Sequence, residues 1–192
     1  MAKTPQTTQE RIISAASRLF YSEGIRAVGV DAVAKQAGIT KKTLYYHFRS
    51  KDDLVTAYLA MRDQPNLELF KRWFAAADGG PAKKVQAIFT NLAKSARHPK
   101  WKGCGFLRTS AELANMPGHP AIKLGAAHKK KFENWLRATF EAEGIAGAPQ
   151  LARHILLLLD GSFAVVLLHR DPSYMESAGE AAFSLVNAAT TS

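Results

Sequence analysis

The chain has 192 residues, 47% of them hydrophobic, which is enough for one large domain or two small ones and too apolar for a disordered protein. Its single cysteine excludes an internal disulfide framework and any multi-cysteine metal site. The formal net charge of +10 is unevenly placed: residues 1–51 hold nine Lys/Arg against three Asp/Glu (+6), and residues 52–192 hold seventeen against thirteen (+4). More than half of the excess thus falls in about a quarter of the chain, which points to a polyanion partner rather than to general solubility.

Residues 1–7 read as a flexible basic tail. Met1–Gln9 carries no apolar run, so no signal peptide is expected. The longest apolar run, Ile155–Leu159, is too short to cross a bilayer. A cytoplasmic protein without a membrane partner is the expectation. From Thr8 a helix begins, with Ile12, Ile13, Ala16, Leu19 and Phe20 on one stripe and Gly24 at its end. Val30 to Ala37 reads as a second, short helix with Val33, Ala34 and Ala37 inward and Asp31, Lys35 and Gln36 outward. Gly38 terminates it, and Thr40 caps a third helix that runs to Phe48.

Leu44 and Phe48 lie four apart on that third helix, so both point into a core. At ~100° per residue, Lys42, Thr43 and Tyr46 take the opposite face, with Lys41, Tyr45 and His47 on the flanks. Two short helices joined this tightly, the second exposing basic and polar groups, form a helix-turn-helix. Ser50 caps a fourth helix, with Asp53 at capping-box spacing and Asp52 adding negative charge near the positive helix end. Leu54, Val55, Tyr58, Leu59 and Met61 continue it. Pro65 is expected to kink or end it, a further segment Leu67–Ala77 following.

Asp78-Gly79-Gly80-Pro81 is a break. Beyond it, Ala82–Arg97, Phe106–Ala114, Ala121–Glu143, Leu151–His169 and Tyr174–Ala189 all read as helices. Leu151–His169 is apolar nearly all round and is expected to be buried on most sides. No strand is expected. The fold class is all-α, an N-terminal three-helix head followed by a helical bundle.

Val33-Ala34-Lys35-Gln36-Ala37-Gly38-Ile39-Thr40-Lys41-Lys42-Thr43-Leu44-Tyr45-Tyr46-His47-Phe48, then Ser50-Lys51 and Leu54, closely resembles the DNA-binding segment of TetR-family transcriptional regulators. The resemblance covers about residues 8–60. It implies a helix-turn-helix DNA-binding domain at 1–50, a helical ligand-binding and dimerisation domain at 51–192, and a homodimer on a palindromic double-stranded operator. A repressor released by a small-molecule effector is the behaviour it implies. Neither enzymatic activity nor a cofactor or metal is expected.

Lys42, Thr43 and Tyr46 on the exposed crest, joined by Lys41, are the candidates for base contact in the major groove. Tyr45, His47 and Lys51 resemble the family's phosphate-contacting positions, with Thr40 and the backbone N–H groups at Ser50 as further candidates. Leu151–His169 and Tyr174–Ala189 are the candidate dimer surface, since a monomer would leave a large apolar face exposed. For the effector, the candidate pocket residues are Phe70, Trp73, Phe74, Phe89, Trp101, Phe106, Trp135 and Phe163, with Cys104, Arg108, His128 or Asn134 as polar groups. Plain core is the competing reading for each aromatic.

Cys104 lies between two glycines near Lys100, Lys102 and Arg108, surroundings that favour a thiolate. Gly103-Cys104-Gly105-Phe106 with Glu112 also resembles one subset of the family's ligand-binding domains. An oxidant- or electrophile-sensing regulator acting through Cys104 is therefore an alternative, beside a small residue that packs a turn. The rivals of another class are a helical ligand-binding protein and a Cys-dependent enzyme without DNA function. For the enzyme the chain offers no glycine loop, zinc-type spacing or supported nucleophile–base pair. Lys129-Lys130-Lys131 is expected on a solvated helix face.

Overall fold

The computed structural model describes residues 6–190. The expected basic tail lies outside these residues except for Gln6 and Thr7. Thr7 belongs to the first helix rather than to a tail: its hydroxyl accepts from Glu10 N–H at 3.2 Å and Glu10 Oε2 accepts from Thr7 N–H at 2.8 Å. That reciprocal capping box satisfies two backbone donors and sets the start of the chain's first element.

Among the described residues there are nine helices: α1 Thr8–Glu23, α2 Val30–Ala37, α3 Lys41–His47, α4 Lys51–Ala75, α5 Pro81–Ala96, α6 Gly105–Glu112, α7 Pro120–Ala142, α8 Ala148–His169 and α9 Ser173–Thr190. They contain no strand. Pro65 lies inside α4, which runs unbroken from Lys51 to Ala75, so the expected stop is corrected. Proline removes one helical N–H, but the bonds of the turns on either side survive.

The chain packs as two compact units. The first holds α1, α2, α3, α4 up to Gln64, then α6 and the start of α7 as far as Gly125. The second holds the rest of α4 from Pro65, α5, the segment to Cys104, α7 from Ala126, α8 and α9.

In the first unit Ile12, Ala15, Ala16 and Phe20 of α1 are buried with Val33, Ala34 and Ala37 of α2 and with Leu44 and Phe48. Phe20 meets Tyr58 of α4 edge-on at 5.7 Å. Burying Leu44 and Phe48 contributes about 1.5–3 kcal/mol each, and the helix between them has little else to hold it.

In the second unit α9 packs along α5 and against α8. A Cβ at Gly179 would stand 2.8 Å from Phe89 Cβ, so the missing side chain is what lets α9 reach α5. Leu151, Ala152, Ile155, Leu159, Phe163 and Val166 of α8 face this core. Leu157 and Leu168 stay 63% and 78% exposed. The expectation that α8 is buried on most sides is therefore corrected: one chain covers only one side of it. By length and composition α8 also meets the requirement for crossing a membrane, which the Ile155–Leu159 run alone did not suggest. The run is short only because Asp160 ends it, and Asp160 is partly buried against Lys129.

Candidate nucleic-acid interface

The turn between α2 and α3 is built from local backbone chemistry. Gly38 takes the left-handed conformation at φ +66°, ψ +41°, which a residue without a Cβ adopts at no steric cost. Its N–H reaches Lys35 O at 3.1 Å and Ile39 N–H reaches Ala34 O at 3.0 Å, satisfying the last carbonyls of α2. Thr40 then accepts from Thr43 N–H at 3.1 Å and starts α3. From outside the motif, Arg11 of α1 donates to the Ala37 carbonyl at 2.6 Å. Arg11 was not among the sequence candidates, and its position on the outward face of α1 gave no sign of this role.

On α3 the buried and exposed faces separate as the helical spacing requires. Leu44 has no exposed surface, while Tyr46 is 85% exposed, the most open large apolar side chain among the described residues. Lys41, Lys42 and Tyr45 are also exposed, Thr43 and His47 half-buried. The Thr43 and Thr40 hydroxyls are 2.9 Å apart and bond to each other, which leaves the Thr43 methyl for outside contact. Tyr46 and His47 meet edge-on at 5.2 Å. Lys41 Nζ lies 3.0 Å from Asp31 Oδ2 of α2, and that hydrogen bond and charge raise the lysine's pKa above its ordinary value. Ser50 caps α4 by accepting from Asp53 N–H at 3.0 Å, and Lys51 follows at the first helical position, half-buried.

The helix-turn-helix does not stand alone in its unit. Arg108 of α6 donates to the Tyr21 carbonyl at 2.6 Å, near the end of α1. Glu112 Oε2 accepts from Arg26 N–H at 2.8 Å, and Arg26 Nη2 donates to Asn115 Oδ1 at 2.8 Å. His119 is buried, accepts from Ala121 N–H through Nδ1 at 3.1 Å and holds Nε2 3.4 Å from Asp52 Oδ1. These contacts tie α6 and the start of α7 to the loop after α1 and to the head of α4. Nothing in the sequence marked Arg26, Asn115 or His119 for this, because their partners are more than sixty residues away.

The candidate pocket residues are not all brought together. Phe106 and Arg108 belong to the first unit; Phe106 is fully enclosed and Arg108 is committed to Tyr21. In the second unit Phe70 meets Trp73 and Phe132, and Trp135 meets Phe74 and Phe132, in one aromatic cluster with centroid distances of 5.4–5.8 Å. Phe163 stacks instead on Trp101, 6.3 Å away. Phe89 and His128 are buried, Asn134 is exposed and Cys104 is half-buried. Lys129 does not lie on a solvated face: it is mostly buried beside Asp160, 5.5 Å from the Phe163 ring, whereas Lys130 is exposed and pairs with Glu133.

In the second unit an open apolar groove of 570 Å³ lies between α8 and α9. Leu157, Leu158, Val165 and Leu185 line it, with His154 and Tyr174 among the few polar groups. None of the candidate pocket residues does.

Residues 12–58 match the family described as bacterial regulatory proteins, tetR family. The HTH-type transcriptional regulator SrpR of Pseudomonas putida is 38% identical over 101 residues, a stretch that is 53% of this chain and 45% of that protein. The uncharacterized HTH-type transcriptional regulator TtgW of Pseudomonas putida is 38% identical over 101 residues, 53% of this chain and 72% of that protein. The chain thus spans less than half of one relative and most of the other. A crystal structure of a TetR-family transcriptional regulator from Streptomyces coelicolor superposes with a TM-score of 0.82 at 29% identity, covering 95% of this chain and 96% of that one. With the helix-turn-helix at residues 30–47 and these similarities, the chain belongs to the TetR family of transcriptional regulators.

Proposed function

We propose that the protein is a one-component regulator that binds a palindromic operator as a homodimer, represses transcription, and is released by a small-molecule effector. The observation that carries this reading is α3, a seven-residue helix fixed by Gly38 and Thr40, buried through Leu44 and open through Lys42 and Tyr46. So short a helix survives only because it is anchored. The groups it exposes can donate to guanine O6 and N7 or meet a thymine methyl in the major groove. Residues 1–50 act as the DNA-binding head in this reading, with Lys41, Lys42, Thr43 and Tyr46 toward bases and Thr40, Tyr45, His47 and Lys51 toward phosphates.

Residues 51–192 bind effector and partner. The exposed leucines of the α8–α9 groove support a second copy as its cover, since contiguous apolar side chains along two neighbouring helices suit a self-complementary helix packing. Twofold symmetry then requires an inverted-repeat site. Effector binding among the later helices reaches the head along α4, which continues past Gln64, while within the first unit Arg108 and Glu112 of α6 hold the end of α1 and the loop after it. A shift of either element changes the presentation of α3 and lowers operator affinity.

Selecting genomic fragments with the purified protein, then footprinting them across a salt series, tests the reading. A symmetric footprint and a steep fall in affinity with salt are expected. An asymmetric or absent footprint sinks the operator. Lys51→Ala should weaken every sequence alike and flatten the salt slope by about one counterion. An unchanged slope would remove Lys51 from the phosphate contacts.

A further inference from the structure

Between Gly24 and Lys51 the chain carries six Lys/Arg and one carboxylate, Asp31. A surface made to attract phosphate gains nothing from an acid, and this one is not remote from the proposed reading helix. Its Oδ2 accepts from Nζ of Lys41, the first residue of α3, at 3.0 Å, and both side chains are exposed. Lys42 beside it is exposed and has no carboxylate partner among the described residues. The two neighbouring lysines therefore differ in kind.

We infer that Asp31 is a specificity-determining residue, which holds Lys41 at the start of α3 as an aimed donor whose charge the carboxylate balances, so that it reads bases without adding attraction to every phosphate. The inference rests on the DNA-binding reading above. An unpaired lysine is a mobile point charge, and near a duplex its contribution is counterion release, equal for all sequences. Pairing cancels that contribution. An ammonium has three N–H groups, and one bond to Asp31 leaves two for acceptors such as guanine O6 and N7. The carboxylate also repels phosphate, so the pair weakens binding to any wrong site where Lys41 finds no base acceptor. Affinity is lowered overall and discrimination is raised. Asp31 acts through Lys41 and is a positioning residue in this scheme. Its placement in the first turn of α2 also suits the positive helix end, but that role would alter stability and leave sequence preference untouched.

The test compares Asp31→Asn with the wild-type protein on two duplexes, a genomic fragment enriched by the wild type and a scrambled duplex of the same length and composition. The substitution should tighten binding to the scrambled duplex roughly fivefold to tenfold at 0.1 M salt and steepen its salt slope by about one counterion. Preference for the enriched fragment should fall by at least about fivefold. Asp31→Glu should keep most of the preference, and in a Lys41→Ala background Asp31→Asn should leave the preference ratio unchanged. If the wild type binds with preference and Asp31→Asn changes both duplexes in parallel with the same slope, the inference is overturned and the DNA-binding reading stands. If the wild type shows no preference between the duplexes, both fall together.

Discussion

The α2–α3 pair and the α8–α9 pair each leave a face uncovered, and the chemistry left on the two faces is opposite. α3 exposes lysines, tyrosines and hydroxyls around a single buried leucine, whereas α8 and α9 expose Leu157, Tyr174 and Leu185 around an apolar groove. The first face is at ease in water and needs only a polyanion to act. The second exposes apolar surface that a single chain cannot remove from water, and a second copy can. Their internal supports differ in the same way. The helix-turn-helix is held by a glycine turn, a threonine cap and one arginine on a carbonyl, while α9 packs along the length of α5 and α8 packs against α9.

Leu44→Ala strikes the first region where it has no reserve. A leucine with no exposed surface leaves a cavity when truncated, and the loss should be about 2–5 kcal/mol in urea unfolding. Amide exchange should accelerate first in α2 and α3 while α8 and α9 keep their protection. Uniform acceleration through both units would erase the contrast. Leu157→Asp strikes the second region from outside. Placing a carboxylate in this groove, where the proposed second copy docks, should weaken self-association by on the order of 3 kcal/mol, read by sedimentation, and reduce operator binding with it. An unchanged association state would show that this face does not join two copies.

Gly38→Ala tests whether the turn depends on backbone conformation. A left-handed alanine costs ~1–2 kcal/mol, and its Cβ would stand 3.3 Å from Arg11 Nη2, so stability and DNA affinity should both drop modestly. The smallest expected effect is on Lys41. Its pKa is raised above 10.5 by the hydrogen bond from its ammonium to Asp31 and by that charge, so the pairing is complete below that value and is lost as pH rises through the raised one. Carbon-detected NMR of the Lys41 side chain should find its titration lowered by Asp31→Asn. A Lys41 titration that Asp31→Asn leaves unchanged would remove the pair on which its distinction from Lys42 depends.

What the sequence alone determined about this protein is what short-range chemistry dictates. Gly38, Thr40 and Ser50 act on backbone groups within four or five residues, so the ends of α2, α3 and α4 and the division of α3 into Leu44 inward and Lys42 and Tyr46 outward were legible without a fold. The all-α class and the family were legible for the same reason, since the motif is contiguous. Even here a local signal was missed at Thr7 and Glu10, and one was over-read at Pro65, where the turns on either side carry the helix across. Only the tertiary structure decided the rest. Arg11 on the Ala37 carbonyl, Glu112 on Arg26 N–H and Lys129 beside Asp160 join residues 26, 86 and 31 positions apart, and no periodicity encodes such a pairing. The outer side of α8 is the same case: its leucines look like core in the sequence, and only the packing of a single chain shows that Leu157 and Leu168 stay uncovered.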